Sequence, residues 1–321
     1  MASNKHSLFT PLRLELESGI TITGIHYLPD ISPTSPTYRP LMVLIHGGTC
    51  TAHNFDVSPS LTASTAAASL SIPVISINRP GYLDSTPLVV PDGSTYHKEL
   101  GRFEHEELFP ALWRKYGVSN RCTALLPLGH SLGSLGIIIS AGLHAKDPNP
   151  KYPLAGIIFS GSGSRSAANA PPPPQDPSQK LAWKRLIMCD KAELNLVPTE
   201  ALDAIALQDH PIKPEELAEV FAGVWNGYWR TYSNEITVPV MFGQGEHDAL
   251  VEGTLEHVKE VETCFSKTER FDGSLVRNAP HAIEWSHCAA GWYTRCFGFA
   301  LEVTASYALK GARIPSGAKE S

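Results

Sequence analysis

Five short apolar runs constrain this chain more than any other feature: Leu41–His46, Pro73–Asn78, Thr123–Leu128, Ala155–Phe159 and Val238–Phe242. None alternates apolar with polar residues, so each reads as a strand buried on both faces, as in a parallel sheet. Helix-compatible segments separate most of them, at Thr51–Leu70, Tyr96–Tyr116, Leu132–His144 and Thr254–Cys264. Two alternating stretches come first, Leu12–Glu17 and Ile20–Ile25, with Ser18-Gly19 between them. That pattern predicts an antiparallel hairpin at one edge of the sheet. Strands alternating with helices mean an α/β architecture built on crossovers.

From Ser164 to Asn234 the rhythm breaks, because no buried-strand run appears there. Four prolines, Pro171 to Pro174, lead into helix-like stretches near Ser178–Cys189, Thr199–Leu207 and Pro214–Tyr232. Residues 164–234 are therefore expected to form a helical lid inserted into a core of residues 1–163 and 235–321. Its last stretch carries Phe221, Trp225, Tyr228, Trp229 and Tyr232. Such rings either fill the subdomain's own core or line a pocket, and Trp225, Tyr228 and Trp229 are the candidates for substrate contact.

Composition excludes several partners. The 26 Lys+Arg against 32 Asp+Glu give a net charge of −6, the wrong sign for nucleic acid or an anionic membrane. No apolar run approaches the ~20 residues that span a bilayer. The 6 cysteines are scattered with no C-x-x-C pair, so neither a metal knuckle nor any other cofactor is expected. The first residues lack an apolar signal core and Ala318–Ser321 matches no targeting address, so a cytoplasmic protein with reduced thiols is expected.

The chemistry centres on Gly129-His130-Ser131-Leu132-Gly133, a G-x-S-x-G placed where a buried run ends and an apolar helix begins. A serine on so sharp a turn needs neighbours without a Cβ, and the pattern supplies a glycine on each side. Alone the pattern is weak; its strand–turn–helix setting makes it specific. His46-Gly47-Gly48-Thr49 follows the Leu41 run, where a turn can aim a backbone N–H at the serine. That amide, from Gly48 or Thr49, and the Leu132 amide would form an oxyanion hole. A strand-ending turn with no such role is the plainer alternative.

A serine nucleophile needs a base, and the base needs a carboxylate. His281, in the loop Asn278-Ala279-Pro280-His281, is the best placed of the 13 histidines. His287 and His257 fall within helix-like segments and read as surface or packing residues. The acid should follow the Val238 run, in Gly243-Gln244-Gly245-Glu246-His247-Asp248: Asp248 first, Glu246 as runner-up. Ser160-Gly161-Ser162-Gly163 offers no acid, and Asp272 in Phe271-Asp272-Gly273 reads as a turn residue.

With these pieces assembled, the chain resembles the α/β-hydrolase superfamily over roughly residues 12 to 305, in its serine-nucleophile, lid-containing esterase/lipase-like branch. The matching pieces are His46-Gly47-Gly48, Asn78-Arg79-Pro80-Gly81-Tyr82, the Ser131 pentapeptide, Gly245-Glu246-His247-Asp248 and Pro280-His281. They follow the family's order of nucleophile, acid, base. Asn78 departs from the family's acid in the second piece, which is taken as structural. The resemblance implies a mostly parallel eight-stranded sheet with antiparallel N-terminal strands, helices on both faces, and a lid inserted after the sixth strand.

Ser131, where relatives that open epoxides or remove halide carry Asp, suits acyl transfer. The expected activity is hydrolysis of a small to medium hydrophobic carboxylester, lactone or thioester, in a setting such as specialised metabolism. Transfer to another acceptor, C–C or cyanohydrin cleavage on the same triad, and a non-catalytic ligand-binding module are the alternatives. Lid lysines and arginine (Lys180, Lys184, Arg185) leave open a substrate carboxylate or phosphate, and Cys50 is either a pocket or a buried structural thiol. Oligomeric state is not legible.

Overall fold

The computed structural model describes residues 7–189 and 192–313, and the buried runs all lie in one sheet. Its strands are β1 (Thr10–Glu15), β2 (Thr21–Tyr27), β3 (Pro40–Ile45), β4 (Val74–Ile77), β5 (Ala124–His130), β6 (Ile157–Ser160), β7 (Val240–His247) and β8 (Phe271–Pro280). Their spatial order is β1-β2-β4-β3-β5-β6-β7-β8. The β1–β2 and β2–β4 pairs are antiparallel, and all the others are parallel. This is the mostly parallel eight-stranded sheet with an antiparallel N-terminal edge.

Strand β8 corrects the reading of Asp272. Being an edge strand, it is only half-buried along most of its length, so it lacks the apolar run that marked the inner strands. Asp272 sits within it opposite Met241, held by the Arg270 guanidinium at 2.8 Å and 2.5 Å.

Successive residues of the buried strands feed opposite faces, which gives two cores. Met42, Leu44, Val74, Leu126 and Leu128 pack beneath α1 (Ala63–Leu70) and the C-terminal helix. Leu41, Val43, Ile45, Ile75 and Leu125 pack on the other face, against α2 (Tyr96–Phe103), its continuation through wide π-type turns to Gly117, and α3 (Leu132–Lys146). Helices thus cover both faces. The Thr51–Leu70 segment is helical only from Ala63, because Thr51 and Thr62 each cap a separate turn and a small ribbon, Asp56–Ser58 with Leu61–Thr62, lies between.

Between β6 and β7 the described part of the insertion holds α4 (Lys180–Cys189), α5 (Thr199–Leu207) and α6 (Pro214–Phe221). The third expected helix stops at Phe221, since Gly223 takes φ +74° and turns the chain; short turns at Trp225–Gly227 and Arg230–Ser233 follow. Ile187, Met188, Ala201 and Ile205 join the first core, whereas Trp225 and Trp229 join the second. Helix α7 (Leu255–Thr263) follows β7, and α8 (Ala289–Arg313) follows β8. His287 lies just before α8 rather than within a helix. Among the described residues no helix is long and apolar enough to cross a membrane.

Candidate active site

Ser131, Asp248 and His281 each follow the C-terminal end of a parallel strand, the edge where open α/β sheets place their ligands. Ser131 follows β5, Gly47 and Gly48 follow β3, Asp248 follows β7, and His281 follows β8. Ser131 holds φ 51° and ψ −123°, a backbone state that a side chain rarely adopts. The turn is held by the Ser131 amide, which donates to the Ser160 carbonyl at 2.8 Å. The two glycines of the pentapeptide have steric reasons. A Cβ on Gly133 would lie 2.3 Å from the Ile45 carbonyl oxygen, and one on Gly129 would lie 2.8 Å from that of Gly133. A Cβ on Gly47 would meet the Ser131 Cβ at 2.9 Å, so the β3 turn abuts the serine closely.

His281 is buried, with Nδ1 2.8 Å from Asp248 Oδ2. The other oxygen of Asp248 accepts the amides of Leu250 at 2.8 Å and Val251 at 3.0 Å, and Gln244 Nε2 donates to Oδ2 at 2.9 Å. Burial pushes the Asp248 carboxyl up, but His281 and these amides outweigh it and hold the group below the usual carboxylate range. Glu246 is placed elsewhere: its carboxylate pairs with Arg277 and accepts the Asn278 amide at 3.0 Å. His257 is a packing histidine, as its spacing predicts, with Nδ1 donating to the Glu252 carbonyl at 2.7 Å.

Ser131 and His281 both line a cavity of about 260 Å³ between the strand ends and the insertion. Gly48 and Leu132 form part of its wall. The far wall is apolar, with Trp183, Ile187, Leu217, Val220 and Trp225. A polar strip, Ser162 to Ser166, follows β6. Trp225 therefore reaches the cavity, whereas Tyr228 and Trp229 do not line it. Trp229 stacks behind Trp225 at 5.9 Å between ring centres, and the Tyr228 hydroxyl bonds Glu219. Arg165 is the cation on the polar strip, and its guanidinium pairs with Glu252 and Glu260.

Several structural partners escape sequence reasoning. Lys184 does not face a ligand: it is fully buried, donating to the carbonyls of Thr49 at 2.8 Å and Ile205 at 3.1 Å. Cys50 is fully buried and off the cavity wall, and burial pushes its thiol up. His130 lies beside His281, 4.9 Å between ring centres, and burial followed by that neighbour holds it well below the usual imidazole range. Behind it, Ser160 Oγ donates to the buried Glu284 at 2.8 Å. For His130, Ser160 and Glu284 the sequence signal was only their position at or just after strand ends.

The family model described as alpha/beta hydrolase family matches residues 42–262. The chain belongs to the alpha/beta hydrolase family. No curated protein matches it significantly. Solved structures resemble it at low identity. An N-acyl homoserine lactonase variant complexed with N-hexanoyl homoserine is 17% identical with TM-score 0.58, covering 92% of this chain and 98% of that one. An E-2-(acetamidomethylene)succinate hydrolase is 12% identical with TM-score 0.58, covering 92% and 99%. A thermophilic esterase from Thermogutta terrifontis is 14% identical with TM-score 0.53, covering 92% and 99%. At these identities the likeness speaks to the fold, and the family supports a hydrolase.

Proposed function

We propose that this hydrolase cleaves a small to medium hydrophobic carboxylester, lactone or thioester through an acyl-enzyme on Ser131. One observation carries the reading: the strained Ser131 turn opens on the same cavity wall as His281, whose far nitrogen is held by Asp248. His281 takes the Ser131 proton as the hydroxyl oxygen attacks the acyl carbon. The Gly48 and Leu132 amides stabilise the oxyanion, each donor contributing roughly 2.7–4 kcal/mol in the transition state. His281 then protonates the leaving oxygen or sulfur, and water repeats the attack to free the acid. Asp248 fixes the imidazole tautomer and stabilises its cation.

The cavity supports the substrate class. Its volume of about 260 Å³ lies just below the roughly 300–1,000 Å³ usual for small-ligand sites, which suits a small substrate. Its far wall is apolar, and Arg165 on the polar strip is already paired with Glu252 and Glu260, so an uncharged acyl group fits better than an anionic one. In this reading the insertion is a lid, with Trp225 on its substrate face. The lactonase and esterase names among its structural neighbours both belong to acyl-transfer chemistry.

Matched p-nitrophenyl esters, acyl-CoA thioesters and aromatic lactones test the proposal, with wild type beside Ser131→Ala. One class turns over, and the variant loses on the order of 10³-fold or more in kcat. Turnover of any class that survives unchanged in the variant, or none above the variant's background, would sink the serine mechanism for these substrates.

A further inference from the structure

The Arg79 guanidinium stands between the turn that carries Gly48 and the insertion helix α6, and it bonds both. Nη2 donates to the Gly47 carbonyl at 3.2 Å and to the Tyr82 hydroxyl at 2.9 Å. Nη1 bonds Glu216 of α6, and the Tyr82 hydroxyl donates to the second Glu216 oxygen at 2.9 Å. The side chains of Arg79 and Glu216 are each 0% exposed. His46 completes the arrangement: its Nδ1 donates to the Gly47 carbonyl at 2.7 Å and its Nε2 accepts the Arg79 amide at 3.1 Å.

The Gly47 carbonyl is thus fixed from two sides. A trans peptide points its C=O and N–H in opposite directions, so holding this oxygen inward sends the Gly48 N–H the other way. Gly48 is also the residue of the turn that meets the cavity. On α6, the residues beside Glu216 (Leu217, Val220 and Phe221) line the same cavity. An ion pair serving only to hold the fold has no need to end on this carbonyl. Arginine suits the task because its planar fork serves a carbonyl on one edge and a carboxylate on another, which a lysine point charge cannot.

We infer that Arg79, locked by Glu216, is a positioning residue that ties the seating of α6 to the aim of the Gly48 amide. The inference rests on the acyl-enzyme reading and adds a coupling to it: the oxyanion donor is in place when the insertion helix is in place. Loss of the Glu216 charge frees the guanidinium to reorient, and the turn loses one of its two anchors.

Covalent labelling of Ser131 by two fluorophosphonates, one with a short alkyl group and one with a long one, tests this without knowledge of the natural substrate. The phosphoryl oxygen of either probe needs the Gly48 amide, whereas only the long alkyl group reaches α6. Glu216→Gln is expected to lower the maximal inactivation rate about tenfold or more, by the same factor for both probes, with half-saturating concentrations within about twofold of wild type. Arg79→Lys is expected to match it. An unchanged maximal rate, or a loss confined to the half-saturating concentration of the long probe, would overturn the coupling, since a helix that merely shapes the pocket gives that result. Should Glu216→Gln fail to fold by circular dichroism, Tyr82→Phe is read in the same way. It removes a brace without unpairing a charge, and a smaller equal loss is expected; no loss overturns the inference. Wild type labelled at Ser131 with normal Glu216→Gln rates refutes the coupling alone. Wild type unlabelled, or labelling that persists in Ser131→Ala, refutes the acyl-enzyme reading and this inference with it.

Discussion

Ser131 keeps its left-handed backbone because atoms on every side leave no other course for the turn. The most demanding of these contacts is at Gly133, where an added Cβ would lie 2.3 Å from the Ile45 oxygen and 2.6 Å from the His46 oxygen. Both are backbone atoms of the central strand β3 and its turn, so neither swings aside. Gly133→Ala is therefore expected to cost about 3 kcal/mol, at the upper end of overpacking effects, in urea unfolding. Gly298→Ala in α8, where nothing lies within 4 Å, serves as the control. There the lower entropy of alanine should stabilise the helix by about 0.5–1 kcal/mol. A Gly133 variant as stable as wild type would mean that the turn tolerates a shift of β3. The pentapeptide was legible in the sequence because its glycines and serine are adjacent in the chain, even though the atoms that require Gly133 belong to β3 and its turn. Arg79 and Glu216 were not, because they lie 137 positions apart and nothing in either neighbourhood announces the other. Asp248 and His281 fall between these cases: Asp248 was found from its strand end and His281 from the turn residues before a helix-like segment, and the sheet order brings the two together.

Helix α6 binds the core through two carboxylates one turn apart, and the second is the more informative electrostatically. Glu219 accepts the backbone amide of His97 at 3.0 Å and its Nδ1 at 2.9 Å, while Thr95 and Tyr228 donate to its other oxygen. Burial acts to raise this carboxyl, but the His97 and Tyr228 bonds outweigh it and bring it from the ordinary 4.5 to about 2. A carboxyl lowered in the folded state adds stability that is fully present above its unfolded value and is lost as the pH falls through the folded one. Wild type is thus expected to lose stability between roughly pH 4.5 and 2 through this group, and Glu219→Gln to flatten that part of the profile while lowering stability at pH 7. Urea midpoints across that range check it; parallel profiles for the two proteins would remove Glu219 from the account. This element also explains the misplaced aromatics. The spacing of Phe221 to Tyr232 reads as one helix face, but Gly223 breaks the helix and rotates the residues C-terminal to it. Trp225 is left on the cavity, whereas Tyr228 is recruited to Glu219. Strand β8 went unread for a different reason: an edge strand buries one side only, so the apolar run that marks its inner neighbours is missing.

Over the whole molecule, topology was legible because the buried runs and the helices between them leave few ways to thread a parallel sheet. What the sequence did not display is how firmly the insertion is tied to the strand ends. Lys184 of α4 reaches the Thr49 carbonyl, His210 donates its amide to the same oxygen at 3.1 Å, and His287 donates to the Leu196 carbonyl at 3.1 Å. Side chains from the insertion also enter both cores. A segment joined this way has no apolar interior to keep if the sheet opens, and the sheet edge loses its cover if the segment leaves. The insertion and the sheet are therefore expected to unfold together. Trp183, Trp225 and Trp229 report on the insertion and Trp113, Trp285 and Trp292 on the rest, so tryptophan fluorescence samples both while circular dichroism follows the backbone. The two signals should coincide in one urea transition. Lys184→Met, which removes a buried donor from two carbonyls, should move that single transition to lower urea by about 1–3 kcal/mol rather than split it. An early fluorescence change ahead of the loss of helical signal would show the insertion opening by itself. The linkage between α6 and the Gly48 turn would then have to operate in a segment that comes and goes, instead of one built into the fold.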